Sequence, residues 1–188
     1  MTRILWQRLD VPGFEWCELT AGPQGRRLTG IVLVGEGRAA HRVDYAIELD
    51  RDHRTRRVAI TARGPADTAL ELVADGTGRW RTGDGGMVID ATDDPAALDV
   101  DLGFSPVTNS LPIWRLGRSL AVGDVTEIRV AWVLFPSFEI VTGRQRYTRL
   151  GERRWEYRSR GFSAPLALTG DGLIEDYAGL WRTVGRSG

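Results

Sequence analysis

Apolar and polar residues alternate along most of this chain, and this alternation limits the folds that it can adopt. In the clearest run, the apolar members are Val43, Tyr45, Ile47 and Leu49, and charged residues surround them. Similar runs cover residues 57–63, 70–74, 98–102, 127–134 and 154–158. A period of two is typical of antiparallel strands that bury one face. Gly- and Asp-rich turns separate the runs at intervals of about ten residues, which predicts a meander.

One segment, residues 105–122, breaks the alternation. Its Thr108-Asn109-Ser110 sequence suits the cap of a short helix that begins near Pro112, since small polar side chains favour the N-cap and proline favours the first turn. We therefore predict a helical crossover between two parts of a sheet. Residues 173–184 fit either a strand or a short helix. The 188-residue length suits a single domain over residues 1–188, mainly β (α+β), with one or two short helices.

The composition excludes several classes of chemistry. All 25 cationic residues are arginine, so Schiff-base and P-loop lysines are absent. One cysteine and two histidines cannot build a Cys-rich or three-histidine metal site, and we expect neither a metal nor a cofactor. The 25 acidic residues bring the net charge to zero, which leaves no bulk positive field for nucleic acid, so we expect no nucleic-acid partner.

The N-terminal residues and the distribution of apolar residues bear on location. The chain starts without the continuous apolar segment of a secretion signal. No apolar run approaches the roughly 20 residues that a membrane-spanning helix needs. We therefore expect a cytoplasmic protein without a membrane span.

Fragments of three enzyme motifs are present. Residues 35–40 match the G-x-G-x-x-A dinucleotide fingerprint, but the alternation after them predicts a strand, which favours a hairpin. Residues 103–105 and 161–163 contain the first half of a nucleophile elbow without its second glycine. A catalytic triad would need His41 or His53, and we interpret both as solvated side chains in polar surroundings.

Two carboxylates, Asp99 and Asp101, share one face of a predicted strand at a Cα separation of roughly 7 Å. Such a pair suits glycoside hydrolysis in principle. The simpler interpretation, which the pattern favours, is an exposed polar face. A curved sheet would instead direct that face into a cavity.

The chain also contains seven tryptophans, and arginine follows three of them, at positions 80–81, 114–115 and 181–182. Tryptophan fills hydrophobic cores efficiently. Together with guanidinium groups it also suits a surface that binds an amphiphile or a sugar, through apolar walls and a few fixed donors. The sequence leaves both interpretations open.

Three segments carry a more specific signal. They are Trp6–Glu15, Asp99–Leu116 and Asp171–Arg182, and the second contains the block Ser-Pro-Val-Thr-Asn-Ser-Leu-Pro-Ile. Together they resemble the bacterial "putative glycolipid-binding" family, a domain of unknown function. The resemblance implies a spiral β-roll, or open half-barrel, built from one long curved antiparallel sheet and similar to periplasmic lipoprotein carriers. It also implies a role in binding a lipid or glycolipid.

From the aromatic and arginine content and this resemblance, we hypothesise a non-enzymatic protein that binds an amphiphile, with apolar strand faces holding the chains. The expected head-group residues are Arg8, Asp10, Asp101, Asn109 and Arg115, and the expected wall residues are Trp6, Trp132, Tyr157 and Trp181.

Two alternatives stay open at this stage. One is a hydrolase that uses Asp101 and Arg115 on a glycoside or an ester. The other is a purely structural role, in which the polar residues of the three segments tie the ends of the sheet together. In either case a homodimer could cover an exposed edge of the roll.

Overall fold

Fifteen strands form one continuous sheet in the computed structural model, which describes residues 1–188. The strands are β1 (Thr2–Arg8), β2 (Gly13–Gly22), β3 (Gly25–Glu36), β4 (Ala39–Leu49), β5 (Thr55–Arg63), β6 (Thr68–Ala74), β7 (Arg79–Thr82), β8 (Met87–Asp90), β9 (Ala97–Leu102), β10 (Val125–Val133), β11 (Ile140–Arg149), β12 (Arg154–Ser159), β13 (Phe162–Leu168), β14 (Ile174–Tyr177) and β15 (Trp181–Ser187). The single helix is α1 (Ser110–Leu116), preceded by a 3₁₀ turn at Val107–Asn109.

The strand order consists of two antiparallel meanders, as the alternation predicts. Strands β1 to β8 pair in sequence, strands β10 to β15 do the same, and the two meanders join where β1 pairs with β15. The Gly-rich residues 35–37 turn between β3 and β4, which confirms the predicted hairpin. Residues 173–184, ambiguous from sequence, contribute β14 and β15.

The predicted helical crossover is confirmed, because α1 lies between β9 and β10, the one parallel pair of the sheet. The helix was predicted to begin near Pro112 and starts two residues earlier, with Asn109 of the predicted Thr108-Asn109-Ser110 block at the N-cap position. The helix begins at Ser110, and Asn109 makes no capping hydrogen bond. Pro112 is tolerated at its third position because the first four N–H groups of a helix have no intrahelical acceptor. No helix in this protein is both long enough and apolar enough to cross a bilayer.

The sheet curls until its two edge strands come near each other, but it stays open. Residues 91–96 connect β8 at one edge directly to β9 at the other. The Trp80 indole N–H donates to the Ala97 carbonyl over 2.8 Å, and the Val100 N–H donates to Thr55 Oγ1 over 3.2 Å. These isolated bonds replace a strand ladder across the gap.

The inward faces of the strands pack against one another and against α1 to form one core. Val43, Tyr45 and Ile47, which define the alternation, are all buried. Trp6, Trp80 and Trp155 are fully buried as well, so part of the tryptophan content is core. The expectation that inward strand faces hold acyl chains is therefore wrong, because protein side chains fill that space. Room for a ligand lies at the ends of the roll.

Candidate functional site

One cavity of about 320 Å³ opens at the end of the roll where β9 and β10 approach β12 to β15. We call it the Asp101 cavity. Its lining residues are Asp101, Gly103, Ser105, Asn109, Trp132, Tyr157, Ser159, Arg160, Phe162, Tyr177, Leu180 and Trp181. They come from the second and third sequence segments that carry the family resemblance and from the strands between them.

The polar centre of the cavity is the Asp101 carboxylate. Gln145 Nε2 donates to Asp101 Oδ2 over 2.5 Å, and Thr108 Oγ1 donates to Oδ1 over 3.2 Å. Burial raises the pKa of Asp101 to about 6, although both hydrogen bonds favour the charged form. The group is therefore ionised at neutral pH and presents an acceptor held by neutral donors.

A chain of buried hydrogen bonds fixes the orientation of Gln145. Asn109 Nδ2 donates to the Tyr147 hydroxyl over 3.0 Å, and that hydroxyl donates to Gln145 Oε1 over 3.2 Å. With Oε1 accepting from Tyr147, the Gln145 amide nitrogen faces Asp101. This series of hydrogen bonds keeps the carboxylate in place before any ligand arrives. A preorganised site of this kind loses less conformational entropy when the ligand binds.

Aromatic rings form the wall beside Asp101. The Tyr157 ring lies 6.0 Å from the ring of Tyr177 and 6.4 Å from that of Phe162, all between ring centres. The wall is thus aromatic beside one fixed carboxylate, and Arg160 is the one cation among the lining residues. Burial raises the pKa of Tyr157 and of Tyr177, with a smaller contribution from the Asp101 charge, so both hydroxyls keep their protons.

Trp132 supplies a donor that has no acceptor within the protein. Its indole nitrogen is buried and makes no hydrogen bond. Gly103 allows the indole to approach closely, because a Cβ at position 103 would lie 2.9 Å from that nitrogen. On the ring face, the Arg160 guanidinium carbon lies 4.6 Å from the ring centre. A buried unpaired donor beside a cavity is costly unless a ligand supplies the acceptor.

A buried carboxyl group, Glu15, lies behind the cavity wall. Ser105 Oγ and the Tyr45 hydroxyl donate to its Oε1 over 2.7 and 2.5 Å, while Oε2 has no partner. Burial raises the pKa of Glu15 to about 8 despite these two bonds, so this group is predominantly protonated at pH 7. Ser105 is the lining residue that links Glu15 to the Asp101 cavity.

Five of the nine residues predicted from sequence line this cavity: Asp101, Asn109, Trp132, Tyr157 and Trp181. The other four lie elsewhere. Trp6 is fully buried, and its indole N–H donates to the Ile174 carbonyl over 2.8 Å. Arg8 forms a two-bond pair with Asp10 at the surface, with its guanidinium 5.4 Å from the Trp181 ring centre.

Arg115 lies away from the Asp101 cavity. Its Nη2 donates to Asp99 Oδ2 over 2.6 Å, and the Asp99 carboxylate is fully buried. The favoured interpretation of Asp99 and Asp101 as an exposed polar face was therefore wrong, because the curl of the sheet turns both inward. The structure does not unite Asp101 with Arg115, and Asp101 is the single carboxylate among the lining residues. No group of three or more metal-ligating side chains is present.

Sequence reasoning missed Gln145, Arg160 and Tyr177. Gln145 carried a usable signal, since it is the polar residue at an inward position of β11 between Gly143 and Tyr147. Tyr177 lay within a recognised segment. Arg160 had no signal, because a turn between β12 and β13 places it on Trp132. The Trp–Arg contacts in the protein do not involve the neighbours at 80–81, 114–115 and 181–182; three of the four join residues more than 25 positions apart, and the fourth joins Arg149 to Trp155.

Comparison with known proteins places this geometry in a family. The model of the family described as "Putative glycolipid-binding" matches residues 3–183. The chain belongs to this family. A crystal structure of a DUF1089 family protein from Pseudomonas aeruginosa is 31% identical, with a TM-score of 0.78 over 89% of this chain and 91% of that one. A search of curated proteins gives no match.

The glycolipid-binding family and its solved member agree with the architecture derived from the sequence. The match covers both meanders and the crossover helix, so the whole curved sheet is a property of the family. The family description points to glycolipids in general terms.

Proposed function

We propose that this protein binds an amphiphile with a hydroxylated, sugar-like head group in the Asp101 cavity. The observation that carries the proposal is the pairing of a fixed acceptor, Asp101, with an unpartnered buried donor, Trp132 Nε1, in one aromatic-walled cavity. A hydroxyl group both donates and accepts, so neighbouring sugar hydroxyls satisfy both protein groups.

The electrostatics around Asp101 favour a neutral head group over an anionic one, because the carboxylate is the fixed polar centre, whereas the one cation of the lining, Arg160, is exposed and stacked on Trp132. Asp101 is ionised above about pH 6 and has no arginine bonded to it. A phosphate or sulfate beside this carboxylate would be repelled. Aromatic rings such as Tyr157 and Tyr177 offer the flat apolar surface against which the C–H face of a sugar packs.

The size of the cavity sets the part of the ligand that it encloses. A volume of about 320 Å³ is near the lower end for small-molecule sites. One sugar-sized group fits, whereas two acyl chains do not, and the filled core offers no further space. We place the start of the hydrophobic chain against Leu180 and the exposed ring of Phe162 at the cavity mouth.

The direct test is binding of octyl β-D-glucoside below its micelle concentration, followed by tryptophan fluorescence and calorimetry. We expect saturable binding by the unaltered protein, weaker binding of octyl sulfate, and at least tenfold weaker glucoside binding by Asp101→Asn. The matched control is Asp10→Asn, which alters an exposed carboxylate outside the cavity. Equal affinity of Asp101→Asn and the unaltered protein, or no saturable binding, would refute the proposal.

Two further measurements sharpen this test. Glucoside affinity should fall as the pH drops below 6 in the unaltered protein and stay flat in Asp101→Asn, because only the former loses a charged acceptor. Native mass spectrometry of the purified protein should also reveal excess mass that organic solvent extracts, and the extract identifies any amphiphile that co-purifies.

A further inference from the structure

A second cavity, of about 430 Å³, opens at the other end of β12. We call it the Trp114 cavity. Strand β12 contributes Tyr157 to the Asp101 cavity and Trp155 to this one, so the two openings lie at opposite ends of β12. The start of β3 contributes Arg26, the β4–β5 turn contributes His53, and the end of α1 contributes Trp114. The ends of β11 and β13 and the turns that follow them complete the lining.

Trp114 is held rigidly at the centre of this cavity. Its indole N–H donates to the Asp171 carbonyl over 3.0 Å. Gly172 permits this contact, since it has a φ of +77° and a Cβ there would lie 2.5 Å from the indole nitrogen. The Arg26 guanidinium carbon lies 4.3 Å from the Trp114 ring centre. Stacking fixes the plane of the guanidinium and leaves its edge free to bind.

Two buried nitrogen atoms in the Trp114 cavity have no hydrogen-bond partner. They are Arg26 Nη1, which is a donor, and His53 Nδ1, which donates when it carries the imidazole proton. His53 is only 9% exposed, so its interpretation from sequence as a solvated histidine was wrong. The β4–β5 turn holds His53 there at a φ of 62°, and the backbone N–H of His53 donates to the Asp50 carbonyl over 3.0 Å. Unpaired buried donors of this kind call for an acceptor.

The surroundings of these donors are positively charged. Arg118 and Arg153 line the cavity without an ion pair, and Glu152 is the single acid among the lining residues. Burial lowers the pKa of Arg26, and the nearby Arg118 charge lowers it further. Arginine is locally in excess here, although Asp171 lies near enough to Arg26, and Asp50 and Asp52 near enough to His53, to offset part of this positive charge. Water could satisfy the donors but could not neutralise the charge.

We propose that the Trp114 cavity binds a phosphoryl group, either as free phosphate or as the phosphate monoester of a lipid head group, on Arg26, Arg118 and His53. Arginine forks match phosphate oxygens with two parallel hydrogen bonds, and the negative charge offsets the repulsion between the two guanidinium groups. This site is independent of the Asp101 cavity, whose carboxylate would repel the same ligand.

The first test measures binding of inorganic phosphate by calorimetry and thermal unfolding, with chloride at equal ionic strength as the reference. We expect phosphate to raise the unfolding temperature more than chloride does. Arg118→Gln should weaken phosphate binding at least tenfold. The same variant should leave the unfolding temperature without phosphate unchanged or higher, because Arg118 is exposed, makes no ion pair and repels Arg26. A purely structural Arg118 would instead lower it.

The matched control is Arg38→Gln, which removes an exposed arginine from the β3–β4 turn with the same change in net charge. It should keep full phosphate affinity. A second variant, Arg26→Gln, should lose binding as Arg118→Gln does. Equal effects of Arg118→Gln and Arg38→Gln would show a non-specific charge effect and overturn the proposal.

A vesicle experiment distinguishes the two sources of the phosphoryl group, free phosphate and a lipid head group. Phosphatidylcholine vesicles with and without phosphatidic acid are compared for co-sedimentation of the protein and of Arg118→Gln. Binding of inorganic phosphate alone supports a soluble ligand, and Arg118-dependent binding to phosphatidic acid vesicles supports a lipid head group. Absence of both refutes the site while leaving the glucoside test of the Asp101 cavity unaffected.

Discussion

The two ends of the roll use the same pair of residue types in opposite electrostatic settings. At each end an arginine lies on a tryptophan ring, Arg160 on Trp132 at 4.6 Å and Arg26 on Trp114 at 4.3 Å. In the Asp101 cavity, the carboxylate is held by neutral donors and stays available to a ligand. In the Trp114 cavity, Arg118 and Arg153 form no ion pair, and Glu152 is the single acid among the lining residues.

Strand β9 offers a second comparison, since it carries two carboxylates of the same face with different partners. Asp99 is bound by Arg115, which follows Trp114 in α1, so its charge is already neutralised. Asp101, two residues later, is bound by Gln145 and Thr108, which carry no charge. The comparison teaches that the partner, and not the carboxylate itself, decides whether a buried acid serves the fold or a ligand.

The largest expected effect concerns the Asp99–Arg115 pair. Arg115→Ala would leave Asp99 buried without a counter-ion, and we expect a loss of about 3–5 kcal/mol in the free energy of unfolding by urea denaturation. The control is Arg158→Ala, which breaks an exposed two-bond pair with Glu156 and should cost far less, because solvent screens an exposed pair. Similar losses in both variants would mean that Asp99 is not a fold-stabilising acid.

The next largest effect is the pH dependence of stability that arises from Glu15, behind the wall of the Asp101 cavity. Glu15 has a pKa near 8 in the folded protein and an ordinary value of 4.5, so the folded state retains a proton that the unfolded chain releases. Its contribution to stability is fully present below pH 4.5 and declines as the pH rises towards 8, with a slope approaching about 1.4 kcal/mol per pH unit. Glu15→Gln should remove this slope from urea denaturation series between pH 5 and 8.

The control for that series is Glu18→Gln on the same strand, which changes a half-exposed carboxylate paired with Arg3. It should keep the pH slope of the unaltered protein. If Glu15→Gln also keeps the slope, Glu15 is ionised in the folded state and the cavity wall carries a second charge. That result would weaken the electrostatic contrast between the two ends.

The smallest expected effect is on the free energy of unfolding when each of the two stacked arginines is replaced. Arg160→Met keeps the apolar stem but removes the cation from Trp132, and we expect a loss of roughly 0.5–1 kcal/mol in unfolding free energy. Arg26→Met removes a similar contact with Trp114 but also relieves an unpaired buried donor and the repulsion from Arg118. It should therefore cost less or stabilise the protein. Equal losses would show that the Trp114 cavity carries no uncompensated charge.

Much of the fold could be predicted from local pattern. The run Val43, Tyr45, Ile47 and Leu49 fixes which face of β4 is buried, because a one-residue shift would expose all four side chains. The break at residues 105–122 located the crossover, although the first residue of α1 was misplaced. The site was predicted in part: Asp101 and Asn109 lay in a recognised segment, but Gln145 comes from β11 and Arg160 from the turn between β12 and β13.

The sequence by itself determined the sheet, its meanders and its single crossover, because hydrophobic periodicity and turn residues act over a few neighbours. Only the tertiary structure decided which polar residues meet. The curl of the sheet buries Asp99 and Asp101, brings Arg115 to one and Gln145 to the other, and encloses His53 beside Arg26. These contacts join residues up to 44 positions apart in the case of Asp101 and Gln145, a separation that no local pattern specifies.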